Sequence, residues 1–99
     1  MNRTIESVVV ALAPGRSEEE FLKACSATDS FLQKQPGFMW RRIVKLDPGR
    51  YMDILEWRSQ AEADAAMKAS MSEACMADLM NTLDPHSVVV AHYPVVSAL

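Results

Sequence analysis

The sequence predicts a single α+β domain over residues 1–99, a ferredoxin-like βαββαβ fold with a four-stranded antiparallel sheet in the order 4-1-3-2. Two observations carry this prediction: strand-like and capped helical segments alternate in two halves of similar length, and a tight hairpin joins the halves. A third is that the hairpin bears apolar residues on both faces, although helices on one side cover only one face of the sheet. We therefore expect a homodimeric α/β barrel in which a second copy covers the other face.

The first half of the chain has the pattern of a strand followed by a capped helix. Residues 4 to 12 are rich in β-branched side chains and end just before Pro14, which predicts the first strand. Ser17 precedes Glu20 by three residues, the spacing of a capping box, so the first helix is expected to begin here. Its apolar residues recur at helical spacing as far as Pro36, where we expect the helix to stop.

A hairpin is predicted in the middle of the chain. Residues 38 to 46 and 51 to 58 flank Asp-Pro-Gly-Arg at positions 47–50, where proline presets the first turn position and glycine supplies the second. Counting outward from the turn pairs Arg41 with Glu56, and the match of opposite charges favours this register.

This register assigns each hairpin side chain to one of two faces. The bulkier face is expected to pack against the helices and carries Phe38, Trp40, Arg42, Val44, Leu46, Tyr51, Asp53, Leu55 and Trp57. The mixed face is expected to pack against the second subunit and carries Met39, Arg41, Ile43, Met52, Ile54 and Glu56. Because a monomer would expose the mixed face as a large apolar patch, burial in a two-fold symmetric pair is favoured.

The second half repeats the pattern of the first. Ser59 and Glu62 have capping-box spacing ahead of an alanine- and methionine-rich helical segment that runs to Leu83. This segment is long for a small domain, and residues 70–73 offer a second capping position, so a break is expected there. The valine-rich residues 87 to 96 predict the last strand.

Charge and composition narrow the possible partners and cofactors. The net charge of −3 without a dense basic run argues against nucleic acid and anionic membrane surfaces. No apolar stretch approaches the roughly eighteen residues of a membrane span, and a cytoplasmic location is expected. Cys25 and Cys75 form no C-x-x-C pair and are expected to be buried thiols. Neither clustered metal ligands nor a Gly-rich phosphate loop is found, so no metal site is predicted and phosphoryl transfer has no support in the sequence.

Arg42 and Asp53 are the first candidates for chemistry, because the predicted register places both charges on the apolar face toward the helices. One interpretation is an internal ion pair that braces the sheet, since isolated buried charges are too costly to keep. The other is a ligand pocket between sheet and helices, in which Arg42 donates and Asp53 accepts hydrogen bonds.

His92 is a candidate base, because imidazole titrates near neutral pH and this histidine lies in a predicted strand. The structural alternative is a locally hydrogen-bonded histidine or one at the dimer interface. Trp40, Trp57 and Tyr51 would line a pocket for a flat substrate. The structural interpretation of Trp57 is a packing residue that seats the second helical segment. A pocket of this kind suits a small hydrophobic or aromatic ligand.

Two motifs resemble those of a known family. Gln-Pro-Gly-Phe at residues 35–38 precedes the second strand, and Asp-Ile-Leu-Glu-Trp-Arg-Ser at residues 53–59 opens the alanine-rich helical segment. With the Ala-Pro-Gly that ends the first strand, the pattern resembles the antibiotic biosynthesis monooxygenase-like family of dimeric α/β barrels over nearly the whole chain. That family includes cofactor-free oxygenases of polyketide-like aromatics and haem-degrading members.

The resemblance implies a cofactor-independent monooxygenase that acts on a small aromatic or polyketide-like substrate. His92 or Asp53 would then remove a proton, and Arg42 would stabilise the resulting anion. The chain departs from the family at residues 61–67, where many members have a histidine and this sequence has none. The asparagine, tryptophan and histidine set of haem-degrading members is not found either. A homodimer that binds a small ligand or has a purely structural role, without turnover, is therefore the alternative.

Overall fold

The structure is a computed structural model that describes residues 2–99. Its elements in chain order are β1 Thr4–Ala11, α1 Glu18–Ser26, α2 Asp29–Gln33, β2 Phe38–Asp47, β3 Arg50–Trp57, α3 Gln60–Ser70, α4 Ala74–Met80, a 3-10 turn at Pro85–Ser87 and β4 Val89–Pro94. The four strands form one antiparallel sheet in the order β2-β3-β1-β4. The predicted α+β ferredoxin-like class and strand order are confirmed.

Each predicted helical segment is divided into two helices. α1 begins at the expected capping box, in which the Ser17 hydroxyl accepts from the Glu20 amide at 3.1 Å. The expected break in the second segment is present as residues 71–73, between α3 and α4. The break between α1 and α2 was not expected; here the Thr28 hydroxyl donates to the carbonyl of Cys25 at 2.6 Å, a local bond that competes with helix continuation.

The hairpin register differs from the predicted one. Pro48 fixes a negative φ at the first turn position, and Gly49 adopts a φ of +84°, the combination of a type II turn. Because such turns do not match the twist of the strands, the pairing is adjusted by a register shift between Lys45 and Asp47, with Leu46 as the extra residue of a β-bulge. Side chains alternate along a strand, so this extra residue reverses the faces of residues 40–45 of β2. A second register shift, between Phe38 and Trp40, returns Phe38 to the side of Trp57.

The predicted face assignment is therefore correct for β3 and wrong for most of β2. Arg41 lies opposite Leu55 rather than Glu56, and Glu56 lies opposite Trp40. The inner face, toward the helices, carries Thr4, Glu6, Val8, Val10, Arg41, Ile43, Tyr51, Asp53, Leu55, Trp57, Val90 and His92. The outer face carries Ile5, Ser7, Val9, Trp40, Arg42, Val44, Met52, Ile54, Glu56, Val89, Ala91 and Tyr93.

Two buried clusters hold the helices on the inner face. The first joins β1 and β3 to α1 through Val10, Tyr51 and Phe21, whose ring lies 4.7 Å from that of Tyr51. The second surrounds Trp57, which is 2 % exposed. Between these clusters the inner face is not covered completely, and a cavity remains.

Candidate functional site

The cavity lies between the inner face of the sheet and the helices and has a volume of about 300 Å³. Its lining is mostly apolar: Val8, Val10, Phe21, Phe31, Leu32, Leu55, Trp57, Ala66, Met67, Met76, Leu79, Met80, Leu83, Val88 and Val90. Three charged residues, Glu6, Arg41 and Asp53, line the sheet side, and Ser70 lines the helix side. An apolar cavity with a few polar groups is typical of small-molecule sites.

Arg41 and Asp53 form one polar group of the cavity. Arg41 Nε donates to Asp53 Oδ1 at 3.0 Å, and Nη2 donates to Oδ2 at 2.7 Å. The same guanidinium donates to the hydroxyl of Thr28 at 2.8 Å and to the carbonyl of Cys25 at 3.1 Å. Burial opposes the charge of Arg41, but the hydrogen bonds and charge of Asp53, together with the nearby Cys25 and Asp29, outweigh burial and raise the Arg41 pKa. Arg41 and Asp53 thus form an ion pair.

Glu6 is the centre of the other polar group. The indole Nε1 of Trp57 donates to Glu6 Oε1 at 3.0 Å, and His92 Nε2 lies 3.7 Å from the same oxygen. The Glu6 side chain is only 9 % exposed. Burial raises its pKa above the ordinary value, although the His92 charge and the Trp57 hydrogen bond partly oppose the increase.

His92 faces Glu6 because the two residues are register partners in β4 and β1. Its Nε2 atom is buried and has no hydrogen-bond partner among residues 2–99. The side chain as a whole is 22 % exposed, so the imidazole reaches from Glu6 toward solvent. His92 borders the cavity through Glu6 rather than lining it.

The structure brings together some of the predicted site residues and separates others. Asp53 and Trp57 line the cavity. Tyr51 lies on the inner face, but it does not line the cavity, and its hydroxyl donates to Glu18 Oε1 at 2.8 Å. Trp40 and Arg42 lie on the outer face, where the Arg42 guanidinium is 5.1 Å from the Trp40 ring centre.

The expected meeting of Arg42 with Asp53 is therefore wrong, because the bulge turns Arg42 outward and Arg41 inward. Sequence reasoning also missed Glu6 as a site residue. A signal for Glu6 was present, since β1 alternation places it on the same face as Val8 and Val10. No comparable signal identified Arg41, because the bulge is not visible in the residue pattern.

The residues that the structure describes hold neither a candidate metal site nor a helix that could cross a membrane. Within residues 2–99 no group of three or more His, Cys, Asp or Glu side chains is arranged to hold a metal ion. Over the same residues, none of the helices combines the length and apolar character needed to cross a membrane.

Comparison with solved structures shows a shared fold. A variant of SnoaB, a cofactor-independent oxygenase from Streptomyces nogalater, matches with a TM-score of 0.82 and 14% identity over 100% of this chain and 98% of that one. A Bordetella bronchiseptica protein assigned as an antibiotic biosynthesis monooxygenase matches with a TM-score of 0.83 and 15% identity over 98% of this chain and 100% of that one. A conserved Methanosarcina mazei Go1 protein matches with a TM-score of 0.76 and 17% identity over 94% and 92%.

No family model and no curated protein sequence matches the chain. At such low identities the structural matches establish the fold and not the activity. The chain has the fold of the antibiotic biosynthesis monooxygenase-like proteins, so the resemblance predicted from its motifs is confirmed at the level of the fold.

Proposed function

We propose that this protein is a cofactor-independent monooxygenase that binds a small, flat aromatic or polyketide-like substrate in the cavity between sheet and helices. The observation that carries the proposal is the cavity itself, about 300 Å³ of mostly apolar space with its charged groups confined to the sheet side. This volume is at the small end of the range of about 300–1,000 Å³ for ligand sites, which favours a compact ring system. SnoaB, which shares the fold, is a cofactor-independent oxygenase.

The chemistry required of the protein is limited. Removal of a proton from an electron-rich ring system leaves an anion that can give electrons to dioxygen, and one oxygen atom is then retained as a new carbonyl while the other leaves as water. The protein must hold the substrate, exclude water and accept the proton. All three tasks fit an apolar cavity with an ionisable group in its wall.

Of the two bases expected from the sequence, His92 is less engaged in hydrogen bonds than Asp53, although only Asp53 lines the cavity. Both oxygens of Asp53 already accept hydrogen bonds from Arg41, whereas His92 Nε2 has no hydrogen-bond partner among the described residues and lies 3.7 Å from Glu6 Oε1. Arg41, which occupies the position expected for Arg42, supplies positive charge to the same wall. Trp57 offers an aromatic surface beside the cavity for a flat ligand.

We also propose that the protein is a homodimer in which the outer faces of two sheets meet. In a single copy this face exposes apolar side chains, including Val44 at 40%, Val89 at 60% and Tyr93 at 57%. A face of this kind is self-complementary under two-fold symmetry. The dimer would cover Trp40 and Arg42, which therefore contribute to the interface and not to the cavity.

The alternative is a protein that binds a ligand without turnover. It is favoured by the complete internal pairing of Arg41 and Asp53, which leaves fewer groups free for chemistry. Oxygen consumption with a panel of naphthols and dihydroxynaphthalenes separates the two functions. We expect uptake of labelled dioxygen into the product, with loss of rate in His92→Ala; binding of the same compounds without oxygen uptake would support the alternative.

A further inference from the structure

We propose that Glu6 is the cavity group that accepts a hydrogen bond, and then the proton, from a hydroxyl of the bound molecule. The ligand would then be an apolar ring system that carries a phenolic or enolic hydroxyl. This inference rests on the proposed function for the cavity as the substrate site, and it assigns Glu6 a role that neither the sequence motifs nor the comparisons indicate.

Glu6 has one oxygen engaged and one oxygen that accepts no hydrogen bond from the residues that the structure describes. Oε1 accepts from Trp57 Nε1 at 3.0 Å, which holds the carboxylate in place on the wall of the cavity. Among residues 2–99, none donates a hydrogen bond to Oε2. Glu6 Oε2 is not a fully buried atom, so part of its surface remains accessible. An accessible acceptor in an apolar cavity is suited to a ligand hydroxyl.

Asp53, the other carboxylate of the cavity, is less available to accept a hydrogen bond from a ligand hydroxyl. Both oxygens of Asp53 are bound by Arg41, and the whole group is fixed to the break between α1 and α2 through Thr28. The cavity residues that the helices contribute are apolar apart from Ser70, and none of them is ionisable. Glu6 is therefore the cavity residue best able to receive a proton.

The surroundings of Glu6 make its carboxylate a better base than an exposed one. Burial raises its pKa above the ordinary value, and a carboxylate with a raised pKa binds a proton more tightly. The charge of His92 and the indole hydrogen bond lower the pKa and so retain an ionised fraction. The carboxylate of Glu6 is therefore a stronger proton acceptor than that of an exposed glutamate.

The proton also has a route out of the cavity. In the proposed step the O–H bond of the ligand breaks, an O–H bond forms on Glu6, and the electron pair stays on the ligand as the anion that reacts with dioxygen. His92 Nε2 lies 3.7 Å from Glu6 Oε1, has no hydrogen-bond partner among the described residues, and belongs to a side chain that reaches solvent. His92 would thus pass the proton from Glu6 to water, which makes it a relay.

The test compares β-naphthol, its methyl ether and naphthalene in equilibrium binding experiments. The three probes share one ring system, and only β-naphthol can donate a hydrogen bond to Glu6. A hydrogen bond to a charged acceptor is strong enough that we expect the native protein to prefer β-naphthol over the ether by about tenfold or more.

Glu6→Gln is the informative variant. Its amide oxygen can still accept from Trp57, but the atom toward the cavity becomes a donor, so we expect the preference for β-naphthol to fall to about twofold or less. Glu56→Gln is the matched control, because Glu56 is the other buried glutamate that accepts from a tryptophan, Trp40 at 2.9 Å, and it lies on the outer face. The control should keep the native preference.

A second measurement needs only the native protein. Protonated Glu6 donates instead of accepting, so the preference for β-naphthol should fall as the pH is lowered through the Glu6 pKa. The charged groups that face Glu6 are His92 from β4 and Asp53 from β3, with Arg41 of β2 paired to Asp53. Equal binding of β-naphthol and ether at every pH would overturn the role of Glu6 and leave the cavity as the ligand site. Failure of all three probes to bind would overturn both proposals.

Discussion

Arg41 and Asp53 form a bidentate ion pair across β2 and β3, with N–O distances of 3.0 and 2.7 Å. Their side chains are 11% and 15% exposed, so the pair is largely removed from water. Because the guanidinium also donates to Thr28 and to the Cys25 carbonyl, it connects the sheet to the break between α1 and α2. The inner face of the sheet and one wall of the cavity therefore depend on the same side chain.

Arg41→Met is expected to lower the free energy of unfolding by about 3–5 kcal/mol, because Asp53 would remain buried without its partner. Arg42→Met is the matched control. Its guanidinium is exposed over the Trp40 ring, an arrangement that contributes about 0.5–1 kcal/mol. Urea denaturation at one protein concentration measures both. Equal losses in the two variants would contradict the observed register.

Ile54→Asp is expected to separate the proposed dimer, since a carboxylate in the middle of the outer face cannot be buried against a second copy. Sedimentation should show the native protein at twice the 11.0 kDa chain mass and the variant at the chain mass. Ala65→Asp, on the exposed side of α3, should remain dimeric. A native protein that sediments as a monomer at micromolar concentration would rule the dimer out.

Gly37→Ala should be more destabilising than Gly15→Ala, although both glycines have positive φ angles of +84° and +81°. The left-handed conformation costs either alanine about 1–2 kcal/mol. At position 37 the new methyl group would also lie 2.5 Å from the carboxyl carbon of Glu62, which must move away from Ser59 and lose a hydrogen bond of about 1 kcal/mol. Thermal unfolding of the two variants provides the comparison.

The stability of the native protein relative to Glu6→Gln should decrease as the pH rises from about the ordinary glutamate value of 4.5. The Glu6 pKa is raised in the folded protein, so the folded state holds the proton more tightly than the unfolded state. This contribution is fully present below the unfolded pKa and is lost as the pH passes through the folded pKa. Denaturation of both proteins across this range measures it; a relative stability that rises with pH would show that the Glu6 pKa is lowered.

Alkylation with iodoacetamide at mildly alkaline pH should modify Cys75 rapidly and Cys25 very slowly. Cys25 is buried, and burial raises its pKa to about 11, so little reactive thiolate is present. Cys75 is only partly buried. Mass spectrometry should find one modified thiol in the native protein and none in Cys75→Ser; fast modification of Cys25 would contradict the packing around α1.

The sequence was sufficient for the fold because its signals are local. The capping residues Ser17 and Ser59 and the turn at 47–50 each act within a few residues, and strand alternation then assigns most side chains to a face. The site was less predictable because it depends on register. The pairing of Arg41 with Asp53 requires one bulged residue, and the partnership of Glu6 with Trp57 joins positions 51 residues apart.

The bulged residue Leu46 shifts the alternation of side chains in the preceding part of β2 by one position. The side chains of residues 40–45 change phase, so Arg41 faces the helices and its neighbour Arg42 faces outward. A relative with one residue fewer in this hairpin would bury the other arginine without any change in the rest of the strand. Alignments of such chains should therefore match β2 by the direction of its side chains, since matching by position would equate a buried cation with an exposed one.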